Sequence, residues 1–248
     1  MTRVVVKAKN GIDALPLPGP PSMDTDLAVA DALRSTGLAL LDQLPTRQDV
    51  LDAAAHVMHI TPHRDSDPDG LTVIRDTGGH TGREGFAGLS NGEVLPHTER
   101  SSLATPPRLM MLVCARPATT GGQCLLADGH AVYADLAEDH PDALAALSAA
   151  RSAFFGGRDG HLGSVFTPRP DGRPQIRLRW DSLARFSPLA QPYLPVLRAA
   201  IARRQRTLTL AAGQGYVLDN TRWLHARTAF TGPRLCYRAL GEPKDVGP

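Results

Sequence analysis

Three residues of this sequence could share one metal ion. His97 and Glu99 stand two apart in LPHTERSS, directly behind Pro96. Side chains two apart on an extended strand project to the same side, and proline biases the residue before it towards extended backbone. HTE therefore reads as an extended segment with His97 and Glu99 facing together and Thr98 pointing away. A third ligand has to come from elsewhere. The best candidate is His225 in GYVLDNTRWLHARTAF, which also follows a predicted strand. Two imidazoles and one carboxylate on one face form the ligand set of non-haem Fe(II) sites, which leave metal positions open for a cosubstrate and O₂.

An isolated HxE triplet is common and reads first as a solvated strand edge. Other residues raise its weight. Beyond His225 lies PRLCYRAL, where positions 234, 236 and 238 share a face. An arginine on that strand could hold a carboxylate bidentately, because guanidinium and carboxylate geometries match. The flanking Leu235, Tyr237 and Leu240 do not decide the face, so Arg234 and Arg238 are either site residues or exposed strand charges. His56, His59 and His63 imitate a metal site at helical spacing, but ITP breaks the helix between them and no carboxylate completes the set. They read as surface or core histidines. Asp219 and Asn220 shape a turn, as Asx residues do. Arg227 either orients neighbouring groups or forms an exposed ion pair. Phe154, Phe155 and Trp180 read as core.

The elements that must carry these residues are mostly short strands. After a Val4–Val6 run and the Pro-rich LPLPGPPS, a helix is expected over 24–35, capped by Asp24 or Thr25, with Gly37 ending it. A strand (LALLDQL) and a second helix over 46–58 follow. From residue 60 β-like runs alternate with Gly and Pro: LTVIRDT, PRLMMLVCARP, QCLLADG, QIRLRW, TLTLAAG, GYVLDN and PRLCYRAL. Such strands with turn signals between them predict a sandwich or barrel. Helices over 131–138, 141–150 and 192–204 interrupt them. No Gly-rich strand-turn-helix fingerprint appears, which argues against a dinucleotide fold. DTGGHTGREGFAG, over 76–88, reads as a mobile loop placed to act as a lid.

Bulk properties exclude several classes. A chain of 248 residues with 42% hydrophobic and 21% charged residues is ordinary for a globular protein. A net charge of +2 advertises neither nucleic acid nor an anionic membrane as partner. Cys114, Cys124 and Cys236 lack metal-finger spacing, and their low, odd number fits a reducing compartment. The N-terminus has no signal-peptide run, and no stretch approaches the roughly eighteen apolar residues of a membrane span. The expectation is a cytoplasmic protein forming one domain over 1–248, with an N-terminal arm over 1–24 and the strand-rich core over about 60–240.

Taken together, HTE, GGQCLLADG, VLDNTRWLHARTAF and PRLCYR resemble the taurine dioxygenase/clavaminate synthase-like family of Fe(II)- and 2-oxoglutarate-dependent oxygenases, over roughly residues 70–240. The resemblance implies a mainly β fold with flanking α-helices, a double-stranded β-helix or jelly roll. It implies that His97, Glu99 and His225 bind iron and that Arg234 takes the distal carboxylate of 2-oxoglutarate, with O₂ as oxidant. Glutamate in HTE is closer to the clavaminate synthase and amino-acid hydroxylase branch, and a carboxylate there argues against the related halogenases. One position departs from the pattern. A threonine usually supports the cosubstrate carboxylate in the GG-x-T element, but GGQC puts Cys124 there, and a thiol is the poorer donor; a buried packing role is the alternative. Asp181 in RWDS resembles the element that receives a substrate amino group, and Arg238 matches a second arginine that meets the substrate carboxylate; the alternatives are a capping role for Asp181 and a structural one for Arg238. The implied substrate is a small molecule, an amino acid or a natural product derived from one, free or carrier-linked. The implied outcome is hydroxylation of an unactivated C–H bond with release of succinate and CO₂; desaturation, cyclisation or epimerisation would use the same residues. Two other classes remain. One is a different metalloenzyme, though a zinc deaminase would need a P-C-x-x-C that is absent. The other is a non-catalytic metal-binding jelly-roll protein, against which the intact His97, Glu99, His225 and Arg234 argue.

Overall fold

The computed structural model describes residues 23–80, 85–169 and 172–244, with the side chains described from residue 28 onwards. The N-terminal arm over 1–22 and part of the Gly-rich loop (81–84) lie outside the described residues. Helix α1 (Met23–Ser35) ends as expected at Gly37, whose φ of +70° suits glycine. Space forbids a side chain there as well, since a Cβ would lie 2.9 Å from Arg222 Cδ. Helix α2 (Arg47–Val57) starts with a capping box. The Thr46 hydroxyl accepts from Asp49 N–H at 3.1 Å, and the Asp49 carboxylate accepts from Thr46 N–H at 2.9 Å.

The framework strands are β1 (Leu38–Leu41), β2 (Met58–Ile60), β3 (Thr72–Ile74), β4 (Val94–His97), β5 (Leu109–Arg116) and β6 (Cys124–Asp128). After helices α3 (Gly129–Asp139), α4 (Pro141–Ser148) and α5 (Leu194–Arg204) come β7 (Gln205–Leu208), β8 (Gly215–Asp219), β9 (Trp223–Arg227) and β10 (Leu235–Pro243). One six-stranded sheet has the order β1-β8-β5-β10-β2, with β3 also pairing β10. A four-stranded sheet has the order β7-β6-β9-β4. The ladders are antiparallel. Two facing antiparallel sheets with helices on both outer surfaces are the expected double-stranded β-helix.

Strand periodicity sorts the side chains. On β5, Met111 and Val113 pack outward with Val29, Val50 and Ala54 of the first two helices. Met110, Leu112 and Cys114 turn inward to meet Cys124 and Leu126 of β6 and Tyr216 and Leu218 of β8. Helices α3, α4 and α5 cover the outer face of the four-stranded sheet, with Val132, Leu136, Leu147 and Leu197 against Ala127 and Leu224. Several of these inward residues, Met110, Leu112, Cys124 and Tyr216, line the cavity that also holds the candidate site residues. QIRLRW departs from its expected strand: only Gln175–Ile176 pair. Arg177 instead turns its guanidinium to the carbonyls of Ser101 (2.8 Å), Leu103 and Ala104 (3.0 Å), buttressing the turn beyond HTE. Among the described residues no helix is long and apolar enough to cross a membrane.

Candidate metal centre and cavity

His97 is the last residue of β4, and His225 lies directly opposite it in the β9–β4 ladder. The two rings are 4.2 Å apart, centroid to centroid. HTE is less extended than its sequence implies. The strand stops at His97, and the chain enters a turn in which Arg100 has φ +55°. Tertiary contacts nevertheless keep Glu99 on the side of His97. Thr98 donates its N–H to Leu178 O (2.9 Å), while its hydroxyl accepts from Leu178 N–H (3.2 Å), away from the histidines.

Glu99 is held by its backbone. Its N–H donates to Asn220 Oδ1 at 2.6 Å, and Asn220 Nδ2 donates to Glu99 O at 3.0 Å and Pro107 O at 2.9 Å. Asn220 is buried, and this grip is what the Asx-turn reading of VLDN did not anticipate. Asp219 does form the expected turn, accepting from Thr221 N–H at 2.9 Å and from its hydroxyl at 2.6 Å.

One ligand atom each from His97, Glu99 and His225 come within 4.8 Å of one another. His97 Nδ1 donates to Leu95 O at 2.9 Å, which leaves Nε2 as a lone-pair donor. His225 Nδ1 is buried with no hydrogen-bond partner among the described residues, and its Nε2 lies 3.9 Å from Glu99 Oε2. Burial holds both imidazoles below their ordinary pKa. Burial pushes the Glu99 carboxyl up, but Arg238 and the two imidazoles outweigh it and set its pKa at about 2. Neutral nitrogens and an ionised oxygen are the states a divalent metal requires of its ligands. The donor set, its spacing and the unclaimed ring nitrogens of His225 fit a non-haem iron.

The cluster opens on a cavity of about 750 Å³ between the two sheets. Arg234 and Arg238 both line it, so both arginines face inward. Arg238 Nη1 is 2.6 Å from Glu99 Oε2, a cation placed against the carboxylate. Arg234 lies just before β10, past a register shift at Leu235/Cys236. It is buried, and its Nη2 lies 4.0 Å from Cys124 Sγ. Gly122 of GGQC makes its approach possible, and Gly121 admits the neighbouring backbone at Ala229. A Cβ on Gly122 would lie 3.0 Å from Arg234 Cδ, and one on Gly121 would lie 2.0 Å from Ala229 O. Cys124 is buried at the cavity wall.

Asp181 also lines the cavity, but its carboxylate is engaged by Arg179, whose Nε donates to Oδ1 at 2.6 Å and whose Nη2 donates to Oδ2. Its backbone carbonyl accepts from Ala184 N–H at 2.9 Å. Arg227 is buried and points at a loop rather than at solvent. It donates to Ser90 O at 2.6 Å and to Gly92 O, and fixes the segment after the Gly-rich loop. The end of that loop, residues 85–88, lines the cavity together with Leu89.

His63 was the residue whose placement spacing could not reveal. His56 and His59 are exposed. His63 follows β2, which pairs with β10 through Ile60↔Gly241, and so arrives on the cavity wall. Its Nδ1 accepts from Asp65 N–H at 3.1 Å, so Nε2 carries the proton. Burial, then the field of Arg238, pushes its pKa down to about 4. Of the aromatic residues read as core, Phe155 is core and Trp180 reaches the cavity.

A two-sheet β-helix with two histidines and a carboxylate in its cavity, and two inward-facing arginines beside them, is the framework of an Fe(II)- and 2-oxoglutarate-dependent dioxygenase. Residues 7–240 match the taurine catabolism dioxygenase TauD, TfdA family, and the chain belongs to that family. The fold is similar to that of an asparagine oxygenase solved with Fe(II), 2S,3S-3-hydroxyasparagine and succinate (TM-score 0.73, 17% identity, covering 89% of this chain and 79% of that one). It is similar to the non-heme iron oxygenase OrfP, solved with Fe, succinate and (3S)-hydroxy-L-Arg (TM-score 0.69, 12% identity, 89% and 81%). PvcB from Pseudomonas aeruginosa also shares it (TM-score 0.66, 17% identity, 87% and 79%).

Proposed function

We propose that this protein hydroxylates an amino acid or an amino-acid-derived small molecule at an unactivated C–H bond, with His97, Glu99 and His225 as iron ligands. The observation that carries the reading is one cavity holding both the His/Glu/His cluster and two inward arginines. Iron, when bound with 2-oxoglutarate and O₂, supplies the oxidising power that splits the cosubstrate into succinate and CO₂ and hydroxylates the substrate.

The chain's own residues bind and orient. Arg234, buried without a carboxylate within ion-pair range among the described residues, takes the distal carboxylate of 2-oxoglutarate. Cys124 supports it from the facing strand. Arg238 presents its remaining donors to the substrate carboxylate, with the Nε2–H of His63 on the same cavity wall. Asp181, shared with Arg179, offers its outer lone pairs to the substrate amino group. Hydroxylated amino acids bound in the asparagine oxygenase and in OrfP support this substrate class. The walls of the cleft shield the reacting carbon from water and fix which C–H bond faces the metal.

The test is Fe(II)-dependent succinate release from 2-oxoglutarate with a panel of amino acids and their derivatives. Without succinate for any substrate, and without an anaerobic absorbance band on adding 2-oxoglutarate to the Fe(II) protein, the oxygenase reading fails. His97→Ala abolishes the band. Asp181→Asn weakens substrate binding while sparing 2-oxoglutarate; equal loss of both would make Asp181 structural.

A further inference from the structure

The cysteine at the GGQC position leaves the distal end of the cavity short of a hydroxyl. A second residue stands where that hydroxyl is missing. Tyr216, on β8 of the six-stranded sheet, points inward across the sandwich to Cys124 on β6 of the other sheet. Its ring is buried, it lines the same cavity as Cys124, and it belongs to the same inner cluster. Sulfur is a weak acceptor, and no oxygen partner for this phenol appears among the described residues. Buried tyrosines usually find a hydrogen-bond partner. Beside it, the Arg234 guanidinium has Cys124 Sγ at 4.0 Å as its hydrogen-bond acceptor and no carboxylate within ion-pair range among the described residues. A buried cation and a buried phenol therefore share the cavity wall around Cys124, and neither has an oxygen acceptor among the described residues. An anion with two acceptor oxygens meets both needs.

We propose that Tyr216 is a cosubstrate-binding residue whose hydroxyl donates to the distal carboxylate of 2-oxoglutarate beside Arg234, replacing from the opposite sheet the hydroxyl that Cys124 lacks. The inference rests on the reading of Arg234 given under the proposed function. Tyr216 takes no part in metal binding and acts on the end of the cosubstrate remote from the reacting atoms. Its contribution is selective for keto acids that carry a second carboxylate. A charge-assisted hydrogen bond of this kind corresponds to about tenfold or more in affinity.

The experiment is anaerobic calorimetric titration of the Mn(II)-loaded protein with 2-oxoglutarate and with 2-oxobutyrate, which lacks the distal carboxylate. The wild type, Tyr216→Phe, Cys124→Thr and the double variant are compared. Tyr216→Phe weakens 2-oxoglutarate by about tenfold and leaves 2-oxobutyrate and Mn(II) affinity unchanged. Adding Cys124→Thr to Tyr216→Phe recovers most of the loss, because a hydroxyl returns from β6. Affinity for 2-oxoglutarate within twofold of wild type in Tyr216→Phe overturns the assignment, and so does an equal loss for both keto acids. Should Tyr216→Phe not fold, the tyrosine ultraviolet difference spectrum of the wild type on adding 2-oxoglutarate decides: a perturbation supports the assignment and its absence overturns it, since Tyr216 is the tyrosine lining the cavity. Failure of the wild type to bind 2-oxoglutarate at all would instead sink the underlying reading of the site.

Discussion

Asn220→Ala is the most informative single change outside the ligand set. It removes one acceptor and two donors at once, leaving Glu99 N–H, Glu99 O and Pro107 O without their partner. A buried polar group left unsatisfied costs about 1–3 kcal/mol. Three such groups do not simply add here, because Asn220 borders a second cavity of about 240 Å³ with polar lining residues including Ser164, Gln175 and Arg177. Water can enter there and recover part of the loss. The expected destabilisation is roughly 2–4 kcal/mol. The larger effect is on the metal. Glu99 sits in a turn beyond the end of β4, so its backbone is oriented by Asn220 rather than by the ladder. Loss of such a support costs on the order of 10–100-fold in metal affinity. Urea unfolding of the metal-free protein and Mn(II) titration measure the two effects separately. Thr221→Ala is the control: it deletes a 2.6 Å hydroxyl bond in the same turn without touching Glu99, and changes stability by about 1 kcal/mol and metal affinity not at all. If Asn220→Ala unfolds like that control and binds Mn(II) within twofold of wild type, the backbone of Glu99 does not depend on Asn220.

Arg227→Met removes charged donors from the carbonyls of Ser90 and Gly92, and hydrogen exchange of the 87–92 amides accelerates while that of β5 does not; unchanged exchange would refute the anchoring role. Arg227→Lys, with a single cationic centre, recovers only part of the protection. The depressed pKa of His63, about 4 against an ordinary 6.5, gives an acid-linked instability. As pH falls below 6.5 the unfolded chain takes up the proton first, so stability is lost between about pH 6.5 and about pH 4, by at most about 3 kcal/mol. His63→Gln removes that part of the slope in urea titrations across this window, and an unaltered slope would place the ring outside the buried wall.

The His97/Glu99/His225 cluster was legible because its parts are local or carried by strong patterns. HTE sits behind a proline, and His225 follows the alternating run of GYVLD. Long runs such as LMMLVCAR could be read as strands because an interior strand must be apolar on both faces, and β5 is buried along nearly its whole length. What was not legible depends on pairing between distant segments. His63 reaches the cavity only because β2 adds to the edge of β10, and no local spacing encodes that partner. The part played by Asn220 was hidden for the same reason: its own turn is local, but the backbone it holds lies far away in sequence. QIRLRW failed as a strand because Arg177 and Arg179 spend their guanidinium groups on a neighbouring turn and on Asp181 instead of facing solvent from a ladder.

Arg234 and Arg238 lie four residues apart, one just before β10 and one within it, yet their surroundings differ. Arg238 is already paired: Glu99 lies 2.6 Å from it, so the two charges are compensated in the metal-free site. Arg234 is as buried as the core, and a sulfur is its hydrogen-bond partner. Burying a cation without a counter-charge costs several kcal/mol; among the described residues Arg234 has none within ion-pair range, at a position where Gly122 leaves room for its side chain. Such an expense is intelligible if an anion regularly completes the site. By mass action, any ligand that binds the folded state alone also stabilises it. On the proposed reading of Arg234, the anion it draws is both the cosubstrate and the missing half of an ion pair, so that 2-oxoglutarate raises the stability of the folded protein as it binds.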